Sequence, residues 1–532
     1  MSSRLECVVL GYNDVDIDAI AKRLKPTRNA SGALRNFETN TVPMGGRRIP
    51  YMSLLNQAIE DATGKNPRLH VGELPNLAVT YLTSYLRRRG FAVDYINFFN
   101  YERDRLSQLL ADEPGVVAIT TTFYVENGPI TELVKFIRER SPKTKVVVGG
   151  PHIYNICTHY DTLTQGMVLK EIGADVYVYE SQGELTLAKI LTALRPGGAG
   201  IGSVPNLVYT EDKKRFQRTP REQEDNNLDE NVVDWQSFDT TYFAPTAQMR
   251  TARSCAFKCA FCRYPVMAGA LNLTSIDVVE QEMRYLKAHG VKNLVFIDDT
   301  FNVPLPRFKE LCRMMIRNKF EFDWFSYFRC GNADDAAFDL MAEAGCKGVF
   351  LGIESGDNGV LKNMNKFAKI ERYGHGIQKL NERNIASFAS LIVGFPGETE
   401  ATVQNTIDFI QQSGPTYYRA ELYYHDVNAP IQERANEFQI KSAGYSWKHA
   451  TMDWKQATAA VDRMYRTITS STILPLYMFD FWSLPYLVGK GISLPKVKAF
   501  TERAQPMLMR GLEDENADLS NERKELAALF AA

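Results

Sequence analysis

The chain has 532 residues, of which 45% are hydrophobic and 23% are charged, and its formal net charge at pH 7 is −1. This composition is typical of a globular protein, and the length exceeds what one hydrophobic core supports, so we expect two or three domains. The near-neutral charge gives no case for a nucleic-acid partner. No apolar run reaches the roughly 20 residues of a membrane span, and the opening residues lack a secretory signal, so no membrane partner and a cytoplasmic location are expected.

The first third of the chain alternates short apolar runs with amphipathic stretches. Helices are predicted at residues 77–89 and 131–140, each following an apolar run. This alternation predicts a Rossmann-like parallel sheet over residues 1–205, with ligands at the carboxyl ends of its strands. The predicted buried strands are residues 7–11, 92–97, 115–121, 145–150 and 174–178.

Small and polar residues follow these strands at the edge where a ligand is expected. The candidate binding residues are Asn13, Thr121, Gly149 and Gly150. Glycine allows a ligand to approach the backbone closely, although such turns are also common in ordinary Rossmann-like domains. Residues 12–72 separate the first strand from the first helix, and this insertion is expected to cap the pocket or the active site.

The whole segment resembles the cobalamin-binding domain that precedes many radical S-adenosylmethionine (SAM) cores. The matching pieces are residues 73–78, 149–152 and 173–176, followed by Gly183 and Glu184. The resemblance implies a cobalamin cofactor, with Gly183 and Glu184 among the residues that bind it. No D-x-H-x-x-G motif follows the first strand, so no histidine is expected to bind the cobalt from below.

A triplet of cysteines in the pattern C-x3-C-x2-C is the most specific motif in the chain: Cys255, Cys259 and Cys262. Four thiolates normally complete a [4Fe–4S] cluster, so three leave one iron open to a ligand that is not protein. Short zinc sites usually contain two paired elements, and no second pair follows here. The other cysteines are scattered and are expected to be small core residues.

The triplet, with Phe261 before its last cysteine, resembles the motif of the radical SAM superfamily. That resemblance implies that SAM binds the open iron, and that one electron from the cluster cleaves SAM to methionine and a 5′-deoxyadenosyl radical. Strand-end carboxylates, an arginine and two glycine-containing turns follow in the order that the family shows. The implied SAM-binding residues are Asp298, Asp299, Arg329, Glu354, Ser355, Gly394 and Gly397. Strand capping by either aspartate and a purely structural role for the glycines stay open.

The predicted fold class is α/β. Residues 206–245 are predicted to form a charged linker, and residues 246–420 a partial (β/α)6 radical SAM barrel. Residues 421–532 are predicted to form a mostly helical, aromatic-rich region on the substrate side. There, His425 and Asp426 are candidate catalytic residues that could move a proton, or a purely structural pair.

The aromatic-rich C-terminal region, the insertion after the first strand and the opening run Val-Leu-Gly-Tyr-Asn-Asp at residues 9–14 carry a further resemblance. Over nearly its full length the chain resembles the group named for the radical SAM P-methyltransferase of phosphinate natural-product biosynthesis. This group also contains maturases of ribosomal peptides (RiPPs), including spliceases that excise a tyrosine-derived unit. The leading hypothesis is cobalamin-dependent methyl transfer to carbon or phosphorus, with a second SAM restoring the methylated cofactor. The alternatives are cleavage of a peptide backbone without methyl transfer and a non-catalytic Fe–S regulatory protein.

The same resemblance implies a set of partners. The substrate is a small molecule or a precursor peptide. The electron comes from a donor such as flavodoxin or ferredoxin, and a small peptide-recognition protein is a further candidate partner.

Overall fold

The computed structural model describes residues 5–531. These residues divide into two compact units. The first, here called the N-terminal unit, comprises the chain through Asp16 together with Gly72–Phe243 and Asp277–Tyr285. The second, here called the barrel unit, comprises Ile17–Val71, Ala244–Ile276 and the chain from Leu286 onward.

Both units alternate strands with helices along the sequence. The strands are β1 (Cys7–Tyr12), β2 (Val42–Met44), β3 (Arg47–Ile49), β4 (Val93–Phe98), β5 (Val116–Thr120), β6 (Lys145–Gly149), β7 (Val176–Val178), β8 (Leu207–Tyr209), β9 (Gln217–Arg218), β10 (Thr246–Met249), β11 (Ala252–Arg253), β12 (Asn272–Leu273), β13 (Asn293–Phe296), β14 (Asp323–Phe328), β15 (Cys346–Glu354), β16 (Ala386–Val393), β17 (Tyr417–Leu422) and β18 (Thr472–Ile473). The helices are α1 (Ile17–Leu24), α2 (Ala33–Glu38), α3 (Tyr51–Thr63), α4 (Leu77–Arg88), α5 (Phe99–Ala111), α6 (Gly128–Arg140), α7 (Pro151–His159), α8 (Thr162–Ile172), α9 (Glu184–Leu194), α10 (Thr240–Phe243), α11 (Tyr264–Ala268), α12 (Ile276–Ala288), α13 (Leu305–Arg317), α14 (Asp335–Glu343), α15 (Asn358–Asn363), α16 (Ile370–Glu382), α17 (Glu400–Ser413), α18 (Ala435–Phe438), α19 (Trp454–Thr467), α20 (Ser483–Gly489), α21 (Leu494–Glu513) and α22 (Ser520–Ala528).

The N-terminal unit contains a seven-stranded sheet in the order β4-β1-β5-β6-β7-β8-β9. Strands β1 and β4–β7 run parallel, and the buried apolar runs of the sequence form each of them. Helix α4 packs against α9, and α5 packs against α6. The chain passes from one side of β1 to the other between β4 and β5, which makes the carboxyl ends of β1 and β5 a topological switch point. The predicted Rossmann-like sheet is confirmed.

The region predicted as a linker at residues 206–245 has more structure than its charge pattern indicates. Strands β8 and β9 pair antiparallel onto the edge of the sheet at β7. Further along, the indole Nε1 of Trp235 donates a hydrogen bond of 2.7 Å to Glu282 Oε1 within the same unit. Strands of two and three residues are too short to produce a readable hydrophobic period.

The barrel unit contains a second seven-stranded sheet, in the order β10-β13-β14-β15-β16-β17-β18. Its strands follow one another in chain order, and the pairs from β10 to β18 are all parallel. Helices lie between successive strands, as the predicted partial (β/α)6 barrel requires, and the short β18 adds a seventh strand. Parallel strands in this order bring all their carboxyl-terminal loops to one edge.

The insertion between the first strand and the first long helix belongs to the barrel unit, whereas the sequence placed it within the first domain. Arg35 forms an ion pair of 2.8 Å with Asp462, and the Phe37 ring lies 5.8 Å from the Tyr477 ring. Asn40 Oδ1 accepts a hydrogen bond of 2.6 Å from the Leu476 backbone. The insertion therefore packs against the C-terminal region.

The C-terminal region is mostly helical, as predicted, and comprises α18–α22 with the short strand β18. Many of its aromatic side chains form core: Trp447, Phe479 and Phe481 are fully or almost fully buried. No helix in the described part of the chain is long and apolar enough to span a membrane.

Candidate active site

The three cysteines of the triplet lie in one loop, residues 254–263, which connects β11 to α11 and is here called the cysteine loop. Its backbone is held from two sides: Ala260 donates to the carbonyl of Met364, and Ile431 donates to the carbonyl of Ala260, both at 2.8 Å. Asn365 Nδ2 donates to the carbonyl of Lys258 at 2.6 Å. The loop shape is thus set by contacts distant in sequence.

The cysteine side chains lie close enough together to affect one another electrostatically. Cys259 is buried, and Cys255 and Cys262 are half-buried. Desolvation, with smaller contributions from Cys259, Asp299 and Cys255, raises the pKa of Cys262 to about 11, against a lowering hydrogen bond from the Tyr264 backbone. The described residues contain no group of three ligands arranged for a single metal ion. Each cluster thiolate binds a different iron, so the sulfurs need not converge on one point, and the donor set fits a [4Fe–4S] cluster.

Arg329 lies over the cysteine loop with part of its guanidinium unsatisfied. Its Cζ is 3.6 Å from the ring centre of Phe257, and the side chain is buried. Burial raises the pKa of Cys259, and the Arg329 charge opposes that shift. The Nε and Nη2 atoms of Arg329 have no hydrogen-bond partner. A buried guanidinium with free N–H groups is costly and fits an anionic ligand such as a carboxylate.

Glu354 ends β15 in a strained conformation and is held by a lysine that the sequence analysis did not single out. Its φ angle of 68° lies in the left-handed region, which is uncommon for residues other than glycine. Lys366 Nζ forms an ion pair of 2.8 Å with Glu354 Oε1 and lies 5.4 Å from the ring centre of Phe261. Desolvation is the largest single influence and lowers the pKa of Lys366, but the charge and hydrogen bond of Glu354, together with Tyr373 and Cys259, outweigh it, so the net shift is upward.

The two aspartates after β13 have different environments. Asp298 is buried and accepts hydrogen bonds from the backbone and hydroxyl of Thr251 at 2.6 and 2.5 Å and from the Ala252 backbone at 3.0 Å. Its carboxylate thus caps the start of β11. Asp299 is solvent-accessible, yet desolvation by the surrounding protein, followed by repulsion from Asp298, raises the pKa of Asp299 to about 7. Of the pair, Asp299 is the one open to a ligand.

Ser355 is fully buried, and its Oγ lies 3.4 Å from Thr406 Oγ1 on α17. It also accepts a hydrogen bond of 3.2 Å from the Asp357 backbone. Its hydroxyl is therefore engaged in protein contacts next to Glu354.

The glycine turn after β16 is shaped by packing against the C-terminal region. Gly394 and Gly397 both have φ angles of 93°, and a Cβ on Gly394 would lie 2.4 Å from the Trp447 ring. His449 Nε2 donates to the Gly394 carbonyl at 3.1 Å, and the Gly394 backbone donates to Glu398. Burial raises the pKa of Glu398 to about 8. Chain packing alone accounts for glycine at position 394.

His425 and Asp426 have separate partners. The His425 ring nitrogens lie 2.8 Å from the Ser442 carbonyl and 3.1 Å from Gln432 Oε1. Asp426 forms an ion pair of 3.0 Å with Arg263, the residue after Cys262. Desolvation raises the pKa of Asp426, but the hydrogen bonds of the carboxylate and the charge of Arg263 have the larger combined effect. The net pKa of Asp426 therefore lies below its usual range. These contacts favour the structural alternative and anchor the cysteine loop.

In the N-terminal unit, the predicted residues at the switch point are tied to one another. Asn13 is fully buried, and its Nδ2 donates to the Pro129 carbonyl at 3.0 Å. Thr121 Oγ1 donates to the Gly149 carbonyl at 2.9 Å. Gly150 has a φ angle of 110°, and a Cβ there would lie 2.8 Å from Thr121 Oγ1, so close packing of the chain itself requires this glycine.

The remaining predicted residues of this edge stand at the start of α9. Gly183 has a φ angle of 81°, and Asn226 Nδ2 lies 3.4 Å from Glu184 Oε2. Phe123 and Val125 follow β5 with exposed fractions of 55% and 84%. Exposed apolar side chains at the carboxyl edge of a parallel sheet fit a large, flat, partly apolar ligand.

Two protein-family models match the chain. Residues 249–410 match the radical SAM superfamily, and residues 70–190 match the B12 binding domain. The chain thus contains a radical SAM domain preceded by a B12-binding domain. The first match contains the cysteine loop and the motifs through Glu398, and the second contains β5 and the loop that follows it, whereas β1 lies outside the matched residues.

Relatives and solved structures resemble the chain over most of its length. An uncharacterized methyltransferase of Pyrococcus horikoshii is 26% identical over 64% of this chain and 73% of the relative. The anaerobic magnesium-protoporphyrin IX monomethyl ester cyclase of Rubrivivax gelatinosus is 25% identical over 79% of this chain and 78% of the relative.

Among solved structures, the radical SAM methyltransferase TsrM of Kitasatospora setae, determined with tryptophan and a SAM analogue, has a TM-score of 0.56 at 20% identity and covers 82% of this chain and 76% of its own. The cobalamin-dependent radical SAM enzyme OxsB with bound aqua-cobalamin has a TM-score of 0.60 at 12% identity and covers 99% and 72%. These structures share the fold.

The cofactor predictions are confirmed by the two family matches. The radical SAM domain implies a [4Fe–4S] cluster and SAM, and the B12-binding domain implies cobalamin. The cluster would be held by Cys255, Cys259 and Cys262, and the unsatisfied Arg329 is placed to bind an anionic part of SAM. The roles of the individual residues stay predictions.

Proposed function

We propose that the protein is a cobalamin-dependent radical SAM methyltransferase that methylates a carbon or phosphorus centre in natural-product biosynthesis. The observation that carries this proposal is the presence of both family matches in one chain, with the cysteine loop and its unsatisfied arginine inside the radical SAM match. Relatives named as methyltransferases and the fold shared with TsrM support the choice of reaction.

The residues around the cysteine loop have separate tasks in this proposal. The cluster supplies the electron that cleaves SAM, and cobalamin supplies the methyl group. Arg329 binds the SAM carboxylate, and Asp299 accepts hydrogen bonds from its ammonium. Lys366 holds Glu354 at the strand end, and the buried contacts of Met364 and Ile431 keep the loop in place.

Partners belong to the proposal as well. The cluster is reduced by a one-electron donor of the flavodoxin or ferredoxin type. The substrate is a small molecule or a precursor peptide, and for a peptide a small recognition protein presents it.

The proposal is tested with protein purified and reconstituted without oxygen. We expect bound cobalamin in the cofactor extract, transfer of a deuterated methyl group from labelled SAM to that cobalamin, and 5′-deoxyadenosine after reduction. The Cys259→Ala variant is the matched control, because it should keep cobalamin and lose 5′-deoxyadenosine. Absence of cobalamin, with SAM cleavage unaffected by adding it, would end the methyltransferase proposal. A cleaved peptide lacking a new methyl group would then favour the backbone-cleavage alternative.

A further inference from the structure

One level of the barrel sheet is covered by an aromatic side chain from the C-terminal region. Phe481 is fully buried, and its ring centre lies 6.1 Å from Phe325, 6.0 Å from Phe350 and 6.1 Å from Phe388. These three residues stand on consecutive strands, β14, β15 and β16. Phe481 therefore marks the inner face of the sheet.

The strand register places a polar layer beside this aromatic one. Phe350 pairs with Phe388, and two residues further along, Gly352 pairs with Ser390 and Ser390 with Arg419. Side chains two residues apart on a strand point to the same face, so Ser390 and Arg419 lie on the face that Phe481 covers. The step from aromatic to polar runs toward the carboxyl ends of the strands, where the cysteine loop lies.

Arg419 is buried with one N–H group unsatisfied. The neighbouring Tyr418 points to the other face, where its hydroxyl donates to the Met464 carbonyl on α19 at 3.3 Å. Arg419 has an exposed fraction of 5% and forms an ion pair of 2.5 Å with Glu421 Oε1. Its Nε has no partner. Such a group indicates a missing acceptor.

A second carboxylate is held near the same arginine. Asp480 directly precedes Phe481, and the Trp482 backbone donates to its Oδ1 at 3.0 Å. Desolvation raises the pKa of Asp480 to about 6, and Arg419 is the cation that opposes this shift. The indole of Trp482 donates to the Tyr327 hydroxyl at 3.3 Å, and the Tyr327 ring lies 4.9 Å from Phe350. Aromatic walls thus adjoin the charged group.

The three charged side chains are unbalanced, because Arg419 is paired with Glu421 and is also the cation that acts on Asp480, so the formal sum is −1 when all three are ionised. Glu421 and Asp480 are half-buried, and a partly desolvated excess charge is stabilised by a ligand of opposite sign or by N–H donors. We propose that Arg419, Glu421 and Asp480 form a substrate-recognition site for a molecule that carries an amine beside an aromatic or apolar body. An acceptor on the same molecule meets the free Nε of Arg419. This inference rests on the proposed function and narrows its substrate class, because a phosphinate anion would meet an excess of negative charge.

Three probes that share a phenyl body and differ in their terminal group test the proposal: 2-phenylethylamine, 2-phenylethanol and 3-phenylpropionate. Binding to the reconstituted protein is measured by equilibrium dialysis without turnover. We expect the amine to bind at least about tenfold more tightly than the carboxylate, which corresponds to one charge contact of about 1.4 kcal/mol. Asp480→Asn should remove about this factor for the amine and leave the alcohol unchanged.

The matched control is Asp408→Asn, because Asp408 is exposed on α17 and accepts a hydrogen bond of 2.9 Å from Gln404. Glu421→Gln provides a second test if Asp480→Asn does not fold. The proposal is overturned if the carboxylate binds as tightly as the amine, if none of the probes binds, or if the folded variants keep full amine affinity. Dialysis does not depend on cobalamin or SAM cleavage, so failure here is distinct from failure of the methyltransferase proposal.

Discussion

The two parallel sheets of this chain use different parts of their architecture for ligands. In the N-terminal unit the strand order reverses at β1, and the edge at this switch point carries neutral residues such as Thr121 and Gly150, which contact each other. In the barrel unit the strands follow chain order, and charged side chains such as Arg329 and Arg419 are buried with unsatisfied N–H groups. The first sheet thus offers a surface at its loops, whereas the second offers specific charged groups along its strands.

This difference explains why the sequence predicts the residues of the barrel site more readily than those of the N-terminal edge. A loop edge that binds a large cofactor through backbone and apolar surface needs few particular residues. A barrel that holds a cluster, SAM and a substrate needs thiolates, carboxylates and guanidinium groups at fixed strand positions. Variants that remove these groups should therefore affect the barrel unit more severely than comparable changes affect the N-terminal unit.

The largest effect is expected for the cysteine loop. Replacing Cys255, Cys259 or Cys262 by alanine should each abolish 5′-deoxyadenosine formation, because each thiolate binds one iron of the cluster. Iron content and product are measured after anaerobic reconstitution. Cys312→Ala is the control, since Cys312 is buried in α13. Substantial SAM cleavage by any one of the three triplet variants would contradict the ligand assignment.

The next effect concerns the ion pair beneath the loop. Lys366→Met leaves the buried Glu354 carboxylate without its cation, and breaking a buried pair from one side costs about 3–5 kcal/mol. Denaturant unfolding should show this loss in the barrel unit. Lys362→Met, at an exposed position of α15, should change stability little. The double variant Lys366→Met with Glu354→Gln should recover much of the loss, and no recovery would mean that the pairing is not the cause.

Glu398 should make the free energy of unfolding of the barrel unit depend on pH. Its folded pKa of about 8 lies above the ordinary value of 4.5, so the folded state holds a proton that the unfolded state releases. Stability should therefore fall as pH rises from about 4.5 to 8, by at most about 1.4 kcal/mol per pH unit. Unfolding of Glu398→Gln should lack this component, because the amide does not ionise. Identical pH profiles for the variant and the parent protein would show that Glu398 is ionised in the fold.

Much of the architecture could be predicted because apolar runs of four to six residues specify buried parallel strands, as in β1 and β6. The cluster ligands could be predicted because all three cysteines lie within eight residues of one another in the sequence. Lys366 and Asp480 were missed because their roles depend on contacts with residues distant in the chain. The burial of Asp298, which leaves Asp299 as the open carboxylate, could not be seen either, because both residues follow β13 in a loop and the burial of Asp298 depends on its hydrogen bonds to Thr251 and Ala252.

The smallest effect is expected in the N-terminal unit. There, alanine variants at two glycine positions distinguish the cost of backbone strain from the cost of steric crowding. Gly150 and Gly90 both have positive φ angles, 110° and 78°, but a Cβ on Gly90 meets nothing within 4 Å. Alanine at either position should cost about 1 kcal/mol from backbone strain, and Gly150→Ala should cost about 1–3 kcal/mol more from its contact with Thr121. Denaturant unfolding and bound cobalamin are measured for both. If Gly150→Ala lost cobalamin at unchanged stability, position 150 would contact the ligand directly. The N-terminal edge would then depend on a specific residue, as the barrel unit does, which would contradict the comparison made above.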